Sequence, residues 1–489
     1  MMEKIINKYK NLPVMVRASF WFLICSFLQK GISVITTPIY TRLLSTNEYG
    51  YYNVFTSWEN IIIVIISLNL SFGVYSRGLV KFEEDRKRFS SSMQGLTFAL
   101  IVIWLIIYYI FRDFFNNIFG LSTKYVITMF VIIWTTAIFQ FWATEQRVDY
   151  NYRKLVIITL VASILNPIVS IIFILNFEDK VFGRILGIAL VSIGCYLWMF
   201  FRQMHSGKEF YSKKYWKHAF EFNIPLIPHY LSQTVLGSSD RIMIEKLVNV
   251  TEAGIYGLAY SISLIMTLFN TALLQTISPW IYKKIKTGEI KDISPIAYAT
   301  LILIAFVNVL LIAFAPEAVR VFAPSSYYNA IWVIPPVAMS VYFMYAYDLF
   351  AKFEFYFEKT KLIACATVSV AILNLVLNYI FIKLFGYIAA AYTTLVCYIL
   401  YATFHYIFMR KVCKKECNNI QPYQTRTLLK ITSIFLVFGF ALMFLYNYPI
   451  IRFIVIIGIF TIAFFKRKDI IGSTKKIISL KKVGVNYGE

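Results

Sequence analysis

Apolar stretches of roughly membrane-spanning length follow one another along almost the whole chain, and they constrain its fold more than any other feature. A bilayer core about 30 Å thick needs about 20 mainly apolar residues per helix, and that ruler marks about 14 spans. They run near 18–41, 55–78, 93–111, 125–144, 155–176, 181–201, 222–248, 254–278, 294–315, 330–350, 362–382, 386–409, 428–447 and 450–465. This spacing predicts an all-α integral membrane protein. Composition agrees: 59% of the 489 residues are hydrophobic and only 15% are charged, where a globular domain carries about 25% charged residues. An ordinary soluble enzyme, a disordered chain and a disulfide scaffold are therefore excluded.

The net charge of +23 would suggest nucleic acid if it lay on one face of a soluble domain. Here it sits in short clusters between the apolar runs. One set of loops carries Lys81/Arg86/Lys87/Arg88, Arg147/Arg153/Lys154, Lys208/Lys213/Lys214/Lys217, Lys283/Lys284/Lys286/Lys291, Arg410/Lys411/Lys414/Lys415 and Lys466/Arg467/Lys468. The alternate loops hold one or two cations each, such as Arg42, Lys246, Arg320, Lys383 and Arg452. Cytoplasmic loops are enriched in Lys and Arg, so the charge is an orientation signal and no nucleic-acid partner is expected. Lys4, Lys8 and Lys10 precede a long apolar run without a small-residue cleavage site, which reads as a retained helix. Both termini are then cytoplasmic.

No loop is long enough for a soluble domain, and no phosphate-binding loop, H-E-x-x-H or G-x-S-x-G is present. No catalytic residue and no metal site are expected. Cys413 and Cys417 form a C-x3-C in a basic segment without a nearby histidine or second cysteine pair, and read as ordinary thiols.

An internal repeat organises the spans. The pattern [RK]-L-x4-E-x-G-x-Y occurs at Arg42 through Glu48, Gly50 and Tyr52, and again at Lys246 through Glu252, Gly254 and Tyr256. Leu165-Asn166 matches Leu373-Asn374 and Phe182-Gly183 matches Phe385-Gly386 at nearly the same offset. Six helices per copy give two lobes of one topology, residues 1–205 and 206–412, followed by an extra helix pair and basic tail over 413–489. Paired six-helix lobes around a central cavity suit transport by alternating access.

A charge within a span costs about 2.5–3.5 kcal/mol on insertion scales and is a functional candidate by default. Lys30 lies near the middle of the first span and Asp240-Arg241 within the seventh, its counterpart in the repeat. Lys30 and Arg241 would make a basic cavity for an anionic ligand. Arg77, near the end of the second span, is either a third such cation or an interfacial anchor. Asp240, Glu59 and Asp348 are the candidate carboxylates for coupling to protons or sodium, the only cofactor-like species expected.

The stretches Lys30-Gly31, Thr37-Pro38-Ile39-Tyr40-Thr41-Arg42-Leu43-Leu44 and Glu48-Tyr49-Gly50 resemble the opening signature of bacterial polysaccharide-export flippases. Three further stretches extend the resemblance: Gly183-Arg184-Ile-Leu-Gly187; Pro225-Leu-Ile-Pro228-His229 with Ser239-Asp240-Arg241; and Ala323-Pro324 through Tyr328 with Pro335-Pro336. The resemblance implies the multidrug/oligosaccharidyl-lipid/polysaccharide (MOP) exporter fold, which is MATE-like: two six-helix lobes and two extra helices. It implies an undecaprenyl-diphosphate-linked O-antigen or capsule repeat unit as substrate, moved to the outer leaflet of the bacterial inner membrane. Membrane lipids, a polymerase and a chain-length regulator of the same pathway would be partners. Lys30 and Arg241, with Arg77, would then hold the diphosphate, since Arg offers phosphate a bidentate fork and Lys a point charge. A multidrug or small-metabolite antiporter of the same superfamily and a lipid II flippase are the alternatives.

Overall fold

The computed structural model describes residues 14–465, and among them every regular element is helical. The cations Lys4, Lys8, Lys10, Lys466, Arg467 and Lys468 lie outside the described residues. The chain divides into two compact units, one ending at Ile242 and the other beginning at Met243.

The first unit contains α1 (Val14–Leu43), α2 (Thr46–Ser67), α3 (Val74–Lys81), α4 (Arg86–Ile110), α5 (Arg112–Phe119), α6 (Thr123–Val148), α7 (Tyr152–Asn176), α8 (Lys180–Gly207), α9 (Lys213–Asn223) and most of α10 (Ile227–Leu247). Helix α8 is its hub and packs on α7, α6 and α4. The α7–α8 seam is close because both glycines of the Gly183-x-x-x-Gly187 stretch face it. A Cβ on Gly183 would stand 2.8 Å from the Phe173 carbonyl oxygen, and one on Gly187 would stand 2.8 Å from Ser170 Cα. Small residues at four-residue spacing let helix backbones approach in this way.

The second unit contains α11 (Val250–Leu264), α12 (Thr267–Lys286), α13 (Ile293–Ala313), α14 (Ala315–Phe322), α15 (Ile334–Tyr356), α16 (Thr360–Phe385), α17 (Ala389–Glu416), α18 (Thr425–Phe444) and α19 (Pro449–Phe465). Its centre is α15 packed along α17. The order of elements repeats that of the first unit. Thr46 and Val250 start equivalent helices 204 residues apart, and the short helices α5 and α14 start at Arg112 and Ala315, 203 apart. The sequence repeat [RK]-L-x4-E-x-G-x-Y is the start signal of these helices. Ser45 Oγ accepts from Glu48 N–H while Glu48 Oε2 accepts from Ser45 N–H, a capping box. In the second copy Asn249 Oδ1 accepts from Glu252 N–H.

Among the described residues ten helices, or eleven counting the bent pair Ser325–Trp332 and Ile334–Tyr356, are long and apolar enough to cross a membrane, with Pro449–Thr461 a shorter apolar helix. The expected count of 14 is not reached by that measure, and the reason is physical. The second expected span, 55–78, is broken between α2 and α3, and the seventh, 222–248, is polar along α10 and broken at the 3-10 turn Ile224–Leu226. These two segments carry four of the six site residues expected from sequence. The charges that mark them as functional also lower their hydropathy.

Within the second unit an ion pair ties the extra helix pair to α14. Arg452 at the start of α19 binds Glu317 of α14, and Tyr446 O–H donates to the Ile312 carbonyl at 2.7 Å. Arg452 is 2% exposed, whereas the Glu317 side chain keeps about a third of its surface. Losing Glu317 therefore strands a buried cation, while losing Arg452 leaves a carboxylate that water reaches. Glu317→Ala is expected to cost about 3 kcal/mol, at the lower end for a broken buried pair, and Arg452→Met less. Thermal melting of both variants in detergent checks the order.

Candidate functional site

The two broken spans of the first unit meet each other. After α2 the chain turns through Leu68 and Asn69 at φ 48° and 52°, then Gly73 at φ 76°, before α3 begins. A break in a membrane helix frees carbonyls that need partners. The fully buried Asn223 at the end of α9 supplies one, donating to the Leu68 carbonyl at 2.8 Å. Phe72 lies edge-on to Tyr230 of α10 at 5.8 Å. Discontinuous helices of this kind place backbone dipoles and polar side chains within the membrane.

The sequence-expected residues fall as follows. Arg77 is exposed in the first turn of α3, its guanidinium 5.4 Å from the Phe222 ring of α9. Arg241 of α10 is held against α2: its Nε donates to Ser57 Oγ at 2.8 Å and one Nη to the Gly237 carbonyl at 2.6 Å. Ser57 Oγ in turn donates to the Asn53 carbonyl, so the guanidinium is oriented through a hydrogen-bonded α2 turn. Asp240 beside it is 1% exposed. Glu59, two residues beyond Ser57, is half-buried and makes no hydrogen bond or ion pair among the described residues.

Lys30 is exposed on α1. The inward side of that helix is marked by Cys25, and five residues further on places Lys30 about 140° round the helix from it. Asp348 belongs to the second unit and is paired with Lys352 one turn along α15 at 3.5 Å. The structure thus joins Arg241 to the α2 helix of Glu59 and Arg77 to α9, while Asp348 has a local cation.

Three polar clusters were not singled out from sequence. Arg184 of α8 is buried between aromatic rings, its guanidinium carbon 3.7 Å from the Tyr40 ring centre and 3.4 Å from that of Tyr52. Tyr40 and Arg184, from two separate resembling stretches, therefore share one contact. Nearby Asp179 caps α8 from the preceding loop. Burial pushes its carboxyl upward, but bonds from Lys124, Phe182 N–H and Tyr125 outweigh this and hold it below the usual carboxylate range. In the second unit Asn374, Asn378, Thr393 and Thr394 form a buried chain of hydrogen bonds between α16 and α17. The third cluster is Glu354 and His405, whose Oε1 and Nδ1 lie 2.8 Å apart. The signal for it was a histidine inside the 386–409 run and an acid four residues past the 330–350 run. Their separation of 51 positions hid the contact.

Residues 15–285 match the family described as polysaccharide biosynthesis protein. The chain belongs to that family. Among curated relatives, the Haemophilus influenzae "Lsg locus putative protein 1" is 25% identical over 203 residues, covering 40% of this chain and about half, 51%, of its own length. An uncharacterised membrane protein of the same organism is 22% identical over 379 residues, covering 73% of this chain and 88% of its own. Among solved structures, the lipid II flippase MurJ in an inward closed conformation superposes with a TM-score of 0.66 at 17% identity, covering 91% of this chain and 99% of MurJ. An inward-facing multidrug resistance MATE transporter of the MOP superfamily gives 0.64 at 14% identity, covering 80% and 96%. This family member therefore has the MATE- and MurJ-like fold of the MOP superfamily.

Proposed function

We propose that this chain moves an undecaprenyl-diphosphate-linked oligosaccharide, an O-antigen or capsule repeat unit, from the cytoplasmic to the outer leaflet of the bacterial inner membrane. The reading rests on one observation above others, the match of residues 15–285 to the polysaccharide biosynthesis family. The fold supports it, since two repeated helical units suit alternating access. In this reading both termini are cytoplasmic, and the polymerase and chain-length regulator of the pathway receive the product.

Lys30, Arg241 and Arg77 are assigned to the diphosphate. The glycan occupies an aqueous cavity and the polyprenyl tail stays in lipid. The substrate moves at the expense of a proton or sodium gradient, with Glu59, Asp240 and Asp348 as the first carboxylates to test.

A strain deleted for this gene is expected to lose its surface glycan and regain it with the intact chain. Unchanged glycan on deletion would sink the reading. Lys30→Ala is expected to fail in this complementation at normal protein level, while Lys30→Arg retains part of the function because the charge is kept. Glycan blots normalised to the tagged protein make the comparison. Flipping of the strain's own lipid-linked oligosaccharide in vesicles, with and without imposed pH and sodium gradients, tests the coupling.

A further inference from the structure

We propose that Glu354 and His405 form a proton-binding site at the α15–α17 seam of the second unit. This deepens the gradient-coupled reading above and rests on it for its transport role, though not for the binding of the proton itself.

Glu354 comes from α15 and His405 from α17, and both side chains are completely buried. Nδ1 of His405 lies 2.8 Å from Oε1 of Glu354. Among the described residues His405 is the only ion-pair partner of Glu354. The other two polar atoms, Glu354 Oε2 and His405 Nε2, are buried without a hydrogen-bond partner. Both atoms can carry a proton, and no protein group occupies either. An imidazole with one nitrogen on a carboxylate and the other open is the arrangement that takes up and releases a proton.

The surroundings favour a change of one proton. With one titrating proton on it the pair is neutral overall, as a carboxylate with imidazolium or an acid with imidazole. Without that proton it carries a buried negative charge, which a low-dielectric seam disfavours unless water reaches it. The Tyr347 ring stacks on His405 at 5.6 Å and Tyr401 meets it edge-on at 4.6 Å. Tyr401 is fixed from α16 by Thr367 at 2.9 Å. Asp348 acts on His405 through its charge, but Lys352 offsets it at 3.5 Å.

Further out, Tyr282 of α12 acts on Asp348. Tyr423, ahead of α18, meets Phe353 and acts on Tyr345 and Tyr298, with Cys413 of α17 beside it. The groups closest to the pair are thus aromatic hydroxyls and one already neutralised carboxylate. The proton arrives from water at Nε2 or Oε2 and leaves by the same atoms, so the bonds that form and break are N–H and O–H only. Because α15 and α17 are the most extensively packed pair of their unit, a charge change there acts on the unit's central contact.

The chain has four histidines, His205, His218, His229 and His405, so isotope-labelled histidine gives few enough NMR signals to follow in the full-length detergent-solubilised protein. The signal lost in His405→Gln identifies His405. Its chemical shift is expected to change with pH in the unaltered chain, and Glu354→Gln is expected to displace that change by about one pH unit or more. A His405 signal that holds one chemical shift at every pH at which the protein stays folded overturns the site. So does a midpoint indifferent to Glu354→Gln.

For the transport role, Glu354→Gln and His405→Gln are expected to reduce surface glycan several-fold at normal protein level, and full glycan in both overturns it. Failure of the export reading shows separately, as a deletion strain with normal glycan, and leaves the NMR result standing.

Discussion

Replacing Arg241 with Ala is expected to cut surface glycan about tenfold or more while the protein is still made and inserted, since a charge-assisted hydrogen bond is worth about 1.5–3 kcal/mol. The expectation follows from how the guanidinium is held. Ser57 Oγ and the Gly237 carbonyl fix it at 2.8 and 2.6 Å, so it is oriented before any anion arrives and little ordering remains to be done on binding. Arg241→Lys keeps the charge but not the planar fork, and is expected to fall between Ala and the natural residue. Ser57→Ala removes one brace and leaves the charge, so its loss should be smaller than that of Arg241→Ala. Equal losses in the Lys and Ala variants would show that geometry matters more than charge. Full glycan in Arg241→Ala would remove this residue from the substrate path.

Gly187→Val is expected to deplete folded protein more severely than any other single change considered for the first unit. The added Cβ would stand 2.8 Å from Ser170 Cα and 2.9 Å from Ser170 N, both backbone atoms that no rotamer change can move aside. Helices α7 and α8 must part, and the loss spreads because α8 is also the contact of α4 and α6. Overpacking commonly costs about 1–3 kcal/mol, and a backbone obstacle belongs at the upper end. Gly194→Val on the same helix is the control, as a Cβ there meets nothing within 4 Å. Fluorescence-detected gel filtration of the two variants should separate them. If Gly187→Val elutes and melts like Gly194→Val, the seam is looser than its geometry states.

Most of the architecture is legible in the sequence, because hydropathy and the 204-residue repeat are both carried by strings of neighbouring residues. Helix starts such as Ser45 with Glu48 and Asn249 with Glu252 could be seen as matching strings, although their meaning as caps needed the hydrogen bonds. The site was legible only as a set of residue types. A charge in an apolar run announces Arg241 or Lys30, but no periodicity says that Arg241 will reach Ser57 across 184 positions. The same holds for Glu354 and His405, which sit on different helices and meet only after α15 and α17 pack. The count of 14 spans failed to register for a related reason: a hydropathy measure penalises helices that are polar and broken, as the segment through α10 is.

The aromatic clamp on Arg184 has a consequence for how the chain is made. Tyr40 and Tyr52 leave the ribosome well before Arg184, with 132 positions between Tyr52 and its partner. At about 5–20 residues per second of synthesis, the first helical hairpin waits on the order of ten seconds in the bilayer without its cation. During that interval two tyrosine rings stand without the guanidinium that will fill the space between them, and anything that stalls translation in α7 prolongs it. Closure of this clamp is thus timed by the arrival of α8, and a pause there is where an insertase or quality-control protease would find the hairpin still open.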